Sequence, residues 1–560
     1  MINSFQQPVH PTIAFVITVP IKLQSATVEI DWKTLYDEQA VLIHVALDKP
    51  KALSWIGIGF SDHGLYNNSD LCVLESNGNF FDHYIDDRHY LQMDLSQDCE
   101  LVEFTDQGFV FKRRFSTCDP RDYSIEQGTT QFLVVASTYG LAEVTSLLEP
   151  AIEKNIGYGQ IISMELPVPE ITDNSVSTFE ITAKNEETTY WCIIQKMPAE
   201  LQRQKHHAIR LEPIIQAGNE HLVHHMEIFH CLSPKTVDFT GECRDKKRRP
   251  DFAKSCSQVI AAWAKGAEAI VYPPETGLPM GGPDTVPYIM VEIHYNNELR
   301  TAGVIDSSGF AFTVTSELRQ FDAGVLEVGL IYSDVMSIPP GQSAFPLTGI
   351  CPTSCTKRFP DDGINVFGTQ LHAHLTGRKL WTSIYRKGLK IGELNRDNHF
   401  SPHWQHIIRL DPPVNIKKGD VLMTTCVHNT IQRAGMTFGG YEITNEMCVN
   451  YIHYYPVADI EVCKSAVSNA SLHGFFERKN VPSKIKVISE KFASMEWNEE
   501  NVADLGELYA NSPLNMHCLR HDGTPFPDPN LNWENLRRPF PLAAPFDRAA
   551  QRVECQAIND

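Results

Sequence analysis

Ten consecutive residues, Gln370 to Lys379 (QLHAHLTGRK), contain two histidines spaced two positions apart. Side chains alternate between the two faces of a β-strand, so His372 and His374 would share one face with Gln370. Neutral imidazoles are common ligands of transition metals, and two parallel rings supply half of a metal site. The stretch therefore predicts a strand that carries two ligands and needs others from elsewhere in the chain.

Two other stretches contain candidate histidine ligands. LVHHMEIFHC holds the adjacent pair His224 and His225. Neighbouring side chains on a regular strand point to opposite faces, so a shared metal would require a twist or a bulge. Without one, the pair would be one buried and one solvent-facing histidine. In VEIHY, His294 shares a face with Glu292, a position that is also typical of a structural histidine.

Met447, in the stretch NEMC, is the remaining candidate ligand, although a methionine in a strand is usually a core residue. If it meets His372 and His374, two imidazoles and a thioether favour copper, especially Cu(I), over zinc. The HExxH motif of zinc hydrolases, the GxSxG nucleophile motif and the Rossmann and P-loop glycine patterns do not occur. The candidate residues thus favour copper chemistry over hydrolysis or nucleotide binding.

The composition excludes some partners and indicates a compartment. The chain has 48 basic and 69 acidic residues, and its net charge of -21 argues against binding to nucleic acid or to an anionic membrane. Fourteen cysteines without a CxxC motif favour a disulfide framework and an oxidising compartment. Asn67 and Asn469 begin glycosylation triplets, which agrees with that compartment.

The N-terminal sequence does not resemble a signal peptide. The apolar run Ile13 to Val19 has no basic segment before it, and prolines flank it closely. No apolar run in the chain approaches the roughly 20 residues of a membrane span.

Strand patterns dominate the chain and predict a mainly β fold. Short apolar or alternating stretches separated by turns, typical of a β-sandwich, fill the first 150 residues. A proline-containing polar stretch then reads as a linker. Strands resume near residue 189, with a short helix predicted over Ser257 to Lys265. Helical character returns at Glu499 to Tyr509, within a mixed C-terminal tail.

Taken together and in order, HHMEIFHC, VEIHYNN, FGTQLHAHLTGRK and FGGYEITNEMCVNYIHYYP resemble the copper type II, ascorbate-dependent monooxygenases. Within that family the resemblance is to the dopamine and tyramine β-hydroxylases. It begins with a DOMON-type module, seen at Trp55 to Ser61 and in RRFSTCDPRDY, and runs through Cys555.

The resemblance implies a domain layout. A DOMON-type β-sandwich spans 20–150 and a linker spans 151–188. Two β-sandwich, jelly-roll-like copper domains follow, at 189–305 and 306–475. Residues 476–560 form an extension that packs on the body.

The resemblance also implies site residues and cofactors. One copper is expected on His224, His225 and His294, as a distant store of electrons, and a second on His372, His374 and Met447. Ascorbate is the expected electron donor and O2 the co-substrate. Catalytic roles are expected for Tyr190 and His372, and weaker substrate-binding roles for Asn450 and Tyr454.

The expected disulfides follow from the same resemblance, with Cys72 and Cys99 left to pair within the first domain. The other pairs are Cys192–Cys243, Cys231–Cys256, Cys351–Cys463, Cys355–Cys518, Cys426–Cys448 and Cys118–Cys555. The stretch 480–491 has none of the cysteines that link subunits in the vertebrate dopamine enzymes. A homo-oligomer without covalent links is therefore expected.

The function implied is hydroxylation of the benzylic carbon of a phenylethylamine, from tyramine to octopamine or from dopamine to noradrenaline. A secretory vesicle lumen or the extracellular space is the expected location. Two alternatives stay open: a related monooxygenase with an unknown substrate, and a non-catalytic secreted copper-binding protein. A peptide-amidating relative would share the copper core but lack the DOMON-type module.

Overall fold

A computed structural model describes residues 18–62, 64–144, 146–162, 174–177, 181–182, 188–220, 222–242, 250–264, 267–297 and 303–539. The chain separates into two compact units, Met1–Ile162 and Ser163–Asp560. Strands account for most of the regular structure in both units, so the predicted mainly β fold class is confirmed. Within the described residues, no helix is long and apolar enough to cross a bilayer.

The first unit is a sandwich of two antiparallel sheets, with strand orders β1-β2-β3-β9-β8 and β11-β10-β4-β5-β6-β7. The central strands β4 and β10 are buried along their whole length, which explains their continuous apolar runs. A disulfide between Cys72 and Cys99 ties β5 to β8, and so one sheet to the other. The strands are β1 (Thr18–Lys22), β2 (Thr27–Leu35), β3 (Ala40–Leu47), β4 (Trp55–Phe60), β5 (Asp70–Glu75), β6 (Phe80–Ile85), β7 (Leu91–Met93), β8 (Cys99–Thr105), β9 (Gly108–Arg114), β10 (Thr130–Ser137) and β11 (Ile152–Gly159).

Strand β11 lies in the segment expected to be a linker. It pairs with β10 over its full length, from Ile152 opposite Ser137 to Gly159 opposite Thr130. An edge strand tolerates polar residues, and β11 contains the polar run Glu153 to Asn155. This polar run is not typical of a strand, so the sequence did not predict one here. The first sandwich therefore continues to about residue 162.

The first part of the second unit holds two main sheets, β12-β23-β15-β20-β24 and β17-β14-β21-β16-β18, a small pair β13-β22, and a short strand β19 beside β15. Apolar side chains of the two main sheets pack into one core, which includes Met226, Ile228 and Phe312. The elements are β12 (Asn174–Ser177), β13 (Ile181–Thr182), β14 (Thr188–Lys196), α1 (Ala199–Arg203), β15 (Lys205–Ile214), β16 (Val223–Cys231), β17 (Phe239–Glu242), β18 (Cys256–Ala264), β19 (Ile270–Val271), β20 (Thr276–Gly281), β21 (Tyr288–Asn296), β22 (Ile305–Asp306), β23 (Gly309–Thr315) and β24 (Phe321–Asp322).

The prediction of a helix over 257–265 is wrong, because residues 257–264 belong to strand β18 and residue 265 lies outside the described residues. It pairs antiparallel with β16, and a disulfide joins Cys256 at its start to Cys231. The alanine-rich stretch VIAAWA favours a helix locally. Pairing at the edge of the sheet and burial of Ile260 and Ala261 override that preference.

The second part of this unit packs a six-stranded sheet, β30-β27-β32-β25-β33-β34, on a four-stranded sheet, β26-β31-β28-β29. The predicted helical stretch near residue 499 is present as α5, and the tail also contributes the edge strand β34. The elements are β25 (Gly324–Leu330), β26 (Phe345–Cys351), α2 (Thr353–Thr356), β27 (Ile364–Ala373), β28 (Gly377–Arg386), β29 (Leu389–Asp397), β30 (Ile408–Ile416), β31 (Val421–His428), β32 (Cys448–Tyr455), β33 (Val462–Val467), α3 (Asn469–Arg478), α4 (Ile488–Ala493), α5 (Glu499–Asn511) and β34 (Leu514–Leu519).

Disulfides connect secondary-structure elements within both units. Besides Cys72–Cys99 and Cys231–Cys256, the bonds are Cys351–Cys463, Cys355–Cys518 and Cys426–Cys448, all as expected. Cys243 and Cys555 lie outside the described residues, so the pairings expected for Cys192 and Cys118 stay predictions. Glycosylation also stays a prediction: Asn469 is an exposed first residue of α3, and Asn67 is half-buried.

Candidate metal centres

A β-bulge brings the adjacent histidines of β16 together. Val223 pairs with Tyr295 and His225 pairs with His294, so His224 is an extra residue in the ladder between β16 and β21. An extra residue breaks the strict alternation of side chains. The Nδ1 atoms of His224 and His225 consequently lie 3.1 Å apart. The bulge that a metal shared by His224 and His225 would require is therefore present.

His294, on the neighbouring strand β21, completes a cluster of three imidazoles. Its Nδ1 atom is 3.1 Å from Nδ1 of His225, and one nitrogen of each ring lies within 4.8 Å of the others. Burial lowers the pKa of His225 well below its usual value, and the other imidazoles lower it further. A neutral ring keeps a lone pair for a cation, so this cluster fits a transition metal.

Tyr190 supports this cluster from the next strand, β14. It is the register partner of His294, and the two rings stack with centroids 4.2 Å apart and planes 6° apart. Its hydroxyl donates a hydrogen bond to the backbone oxygen of Tyr441, at 3.3 Å. Tyr190 therefore links the cluster to the segment that precedes Met447.

His372 lies in β27, and His374 follows directly after that strand ends. Their ring centroids are 5.2 Å apart, and both side chains are buried. Burial lowers the pKa of His372 well below its usual value and that of His374 to about 4. Nδ1 of His374 lies 3.0 Å from the backbone oxygen of Asn445, so it carries the proton and donates. The lone pair on Nε2 then remains for a metal.

Met447 sits where it can join these two histidines. It immediately precedes β32, and the last register pair of β27 with β32 is Ala373 opposite Cys448. His374 and Met447 therefore leave the ladder at the same end. The disulfide between Cys448 and Cys426 holds the start of β32 against β31. Two imidazoles and a thioether, without a carboxylate, fit copper.

The buried carboxyl group of Glu446 holds the backbone around this second set. It accepts hydrogen bonds from the backbone N–H groups of His374 (3.0 Å), Thr376 (2.6 Å) and Met447 (3.3 Å), and from the Thr376 hydroxyl (2.7 Å). Burial raises the pKa of Glu446 to about 7. One side chain thus fixes the residues that carry two of the three candidate ligands.

The two sets of candidate ligands face each other. The rings of His225 and His372 are 6.2 Å apart, centroid to centroid, at 80°. This corrects the expectation that the electron-storing centre of His224, His225 and His294 is distant, because side chains of the two centres are neighbours. The sequence cannot reveal this, because the distance depends on how the sheets containing β16 and β27 pack.

The structure separates Asn450 and Tyr454 from the His372 ring. Asn450 alternates with Val449 and Tyr451 along β32, and its amide donates to Thr382 Oγ1 (2.9 Å) and Asn395 Oδ1 (3.2 Å). The Tyr454 hydroxyl lies 3.3 Å from the backbone oxygens of Ala458 and Ile460. The Asn450 amide nitrogen and the Tyr454 hydroxyl thus form hydrogen bonds away from the candidate centres.

Tyr451 and Glu227 are the residues that sequence reasoning missed. The Tyr451 ring lies 6.2 Å from that of His372, and its hydroxyl is 3.4 Å from Glu227 Oε1. Glu227 follows His225 by two positions in β16. The alternation of side chains along a strand could have identified both residues. Glu227 lies two positions after His225 and therefore on the same face of β16. Tyr451 likewise lies two positions after Val449, which is the register partner of His372.

Comparisons with known protein families and with individual proteins match the same family along most of the chain. Residues 174–302 and 321–476 match the N-terminal and C-terminal domains of the copper type II ascorbate-dependent monooxygenases, and residues 24–138 match the DOMON domain. Tyramine beta-hydroxylase of Caenorhabditis briggsae is 43% identical, over 96% of this chain and 95% of its own. Human dopamine beta-hydroxylase is 40% identical, over 89% and 84%. DBH-like monooxygenase protein 1 of Gallus gallus is 31% identical, over 84% and 81%.

These matches extend through both copper domains and the module before them, as the sequence motifs indicated. The family implies two copper ions, ascorbate as reductant and O2 as co-substrate. The chain therefore belongs to the copper type II ascorbate-dependent monooxygenases and is a β-hydroxylating enzyme of that family.

Proposed function

We propose that the enzyme hydroxylates the benzylic carbon of a phenylethylamine, converting tyramine to octopamine or dopamine to noradrenaline. The names of the tyramine and dopamine beta-hydroxylases that match most of this chain support this substrate class. The observation that carries the proposal is a carboxylate and a phenol, Glu227 and Tyr451, beside the facing rings of His225 and His372.

We assign one copper to His224, His225 and His294, and the other to His372, His374 and Met447. Neutral imidazoles in both sets, and the thioether in the second, support this assignment. When bound, the copper ions supply the redox chemistry with O2 and ascorbate that side chains lack.

Glu227 is assigned to the substrate ammonium group. It extends from β16 two residues after His225 and accepts from the Tyr451 hydroxyl. A second carboxylate nearby, Glu327, is ion-paired with Lys464. Glu227 rather than Glu327 is assigned because its carboxylate accepts from the hydroxyl of Tyr451, whose ring lies beside His372.

Tyrosine rings form the walls for the aromatic part of the substrate. Tyr332 packs edge-on against Tyr441, with centroids 5.3 Å apart, and Tyr451 lies beside His372. Burial raises the pKa of Tyr332 and of Tyr451 well above its usual value, so both remain neutral hydroxyl donors. An apolar slot with a few fixed polar groups is typical of small-molecule sites.

Tyr190 is assigned a positioning role, because it stacks on His294 and donates to Tyr441. Catalytic contact is assigned to His372, which lies beside Tyr451. Asn450 and Tyr454 receive no substrate-binding role, because the Asn450 amide nitrogen and the Tyr454 hydroxyl form hydrogen bonds inside the second copper domain.

The test is product identification with the copper-loaded protein, ascorbate and O2. Tyramine, dopamine and a glycine-extended peptide are offered separately, and products are identified by mass spectrometry and chromatography. We expect octopamine or noradrenaline and an unchanged peptide. Hydroxylation of the peptide, or no β-hydroxylated amine, would reject the substrate proposal.

We also propose a location in the secretory pathway, in a vesicle lumen or outside the cell, and a homo-oligomer without covalent links. The disulfides in both units support an oxidising compartment. Fractionation of expressing cells, with light scattering under non-reducing and reducing conditions, tests both proposals. Recovery in the cytosol, or a dimer lost on reduction, would contradict them.

A further inference from the structure

A cavity lies within the second unit, apart from the candidate metal centres. Its volume is about 290 Å³, and its walls include Ile260, Met280 and Val325. None of the six proposed copper ligands lines it, and neither do Glu227 and Tyr451. The size falls near the lower end of small-molecule pockets, which span about 300–1,000 Å³.

The walls come from both copper domains. Ile260 and Met280 belong to β18 and β20, whereas Val325 belongs to β25. A bound molecule would therefore contact both domains and stabilise their packing.

One buried acid, Glu461, lies in the wall of the cavity. Glu461 is only 6% exposed, and its Oε1 atom accepts a hydrogen bond from the backbone N–H of Val259 at 2.8 Å. Among the described residues, no hydrogen-bond donor contacts Oε2. An ionised carboxylate among apolar side chains is costly unless a cation meets it. Burial accordingly raises the pKa of Glu461 to about 9.

Basic groups near Glu461 are already paired with other acids. Lys205, in the cavity wall, has Nζ 2.7 Å from both carboxylate oxygens of Asp322. His521, also in the wall, lies 2.9 Å from Asp459. Lys464 is ion-paired with Glu327. Among the described residues that line the cavity, Glu461 is thus the acidic side chain available to a bound cation.

We propose that this cavity is a second small-molecule site, which takes a primary ammonium group carried on a compact apolar body. The ammonium would lie on Glu461, and the apolar body would lie against Ile260, Met280 and Val325. An ammonium group bound at Glu461 would stabilise the ionised carboxylate, which otherwise keeps its proton near neutral pH, and the apolar walls select a hydrophobic amine over an inorganic ion. This proposal does not depend on which substrate the catalytic site takes.

The test is calorimetric titration of the copper-loaded enzyme with 2-phenylethylamine in the absence of ascorbate, so that no turnover occurs. We expect two binding events in the wild type. Glu461→Gln keeps the acceptor for Val259 but lacks the charge, and should weaken one event about 10- to 100-fold. Glu268→Gln removes an equal charge from an exposed side chain that does not line the cavity, and should keep both events.

Met280→Phe, which adds volume to the cavity wall and keeps the carboxyl group of Glu461, should weaken the same event as Glu461→Gln. Glu227→Gln should weaken only the other event. If the wild type shows a single event that Glu461→Gln removes, the cavity site stands and the proposed catalytic amine site fails. If Glu461→Gln and Met280→Phe leave every event unchanged, the cavity proposal is overturned.

Discussion

The two candidate copper centres are built in different ways. The cluster of His224, His225 and His294 lies entirely on β16 and β21, adjacent strands of one sheet, and Tyr190 stacks on it from a third strand. In the second centre, His372 alone lies within a strand. His374 and Met447 lie just outside strand ends, where the backbone ladder no longer fixes them.

The second centre replaces the missing ladder with side-chain supports. Glu446 accepts hydrogen bonds from the backbone of both His374 and Met447, and the Cys426–Cys448 disulfide anchors the start of β32. The first centre therefore depends on a bulge, and the second on one buried carboxyl group. Substitutions around the second centre should accordingly have the larger effects.

The largest effect is expected for Met447→Ala, because it removes a ligand from the second centre. Ascorbate-dependent hydroxylation should be abolished, and bound copper should fall from two ions to one per chain. Metal analysis and an activity assay check this, with circular dichroism to verify folding. Met93→Ala, at an exposed position of the first unit, is the control. Turnover retained by Met447→Ala would contradict the assignment.

Glu446→Gln should weaken copper binding at the second centre by about 10- to 100-fold, the usual effect of losing a group that orients ligands. An amide offers one oxygen, and its NH2 group would face N–H donors that need an acceptor. Competition with a copper chelator measures the affinity. Glu442→Gln, on the exposed part of the same segment, should have no effect. Equal affinities in both variants would show that Glu446 does not hold the centre.

Glu227→Gln tests the site between the two centres. The KM for the amine should rise about 10-fold, because a charged partner of the ammonium is lost, while kcat changes less. Steady-state kinetics with tyramine and dopamine check this. Glu212→Gln, at a side chain that is half exposed, is the control. An unchanged KM would remove Glu227 from amine recognition.

Tyr190→Phe should have a smaller effect, since it keeps the stacking on His294 and removes one hydrogen bond to Tyr441. We expect about a 2- to 10-fold lower kcat/KM. Faster hydrogen exchange around residue 441 should accompany it, a readout that does not depend on turnover. Tyr190→Ala, which also removes the stacking, should be more severe. An unchanged kcat/KM in Tyr190→Phe would deny the hydroxyl a role, and equal losses in the two variants would deny the stacking one.

A stability effect is expected at His406, a buried residue whose pKa is lowered to about 3 by burial. Above pH 6.5 the ring is neutral in both the folded and unfolded states. Below pH 6.5 the unfolded state takes up a proton and the folded state does not, so stability falls as pH falls. At pH 5.0 the loss is about 2 kcal/mol. Denaturant unfolding at pH 7.5 and 5.0 should show less acid sensitivity in His406→Phe, but not in His403→Gln.

The mainly β architecture and the grouping of the candidate ligands could be predicted from the sequence. Alternation predicted that His372 and His374 lie together, and the adjacent pair His224 and His225 predicted the need for a bulge. These features are local, because they depend on the geometry of one strand or of two neighbours.

Features that depend on packing between sheets could not be predicted in this way. The approach of His225 to His372 is one example, and the burial of Glu446 beneath His374 is another. Strand β18 was missed because pairing with β16 overrides its alanine-rich local preference. Strand β11 was missed because an edge strand tolerates polar residues.

The most direct test of the catalytic proposal is the product that the copper-loaded enzyme forms from tyramine with ascorbate under ¹⁸O2. We expect octopamine with one labelled oxygen atom on the benzylic carbon, and no octopamine from Met447→Ala. A product without the label, or no hydroxylated amine from either tyramine or dopamine despite two bound copper ions, would contradict it.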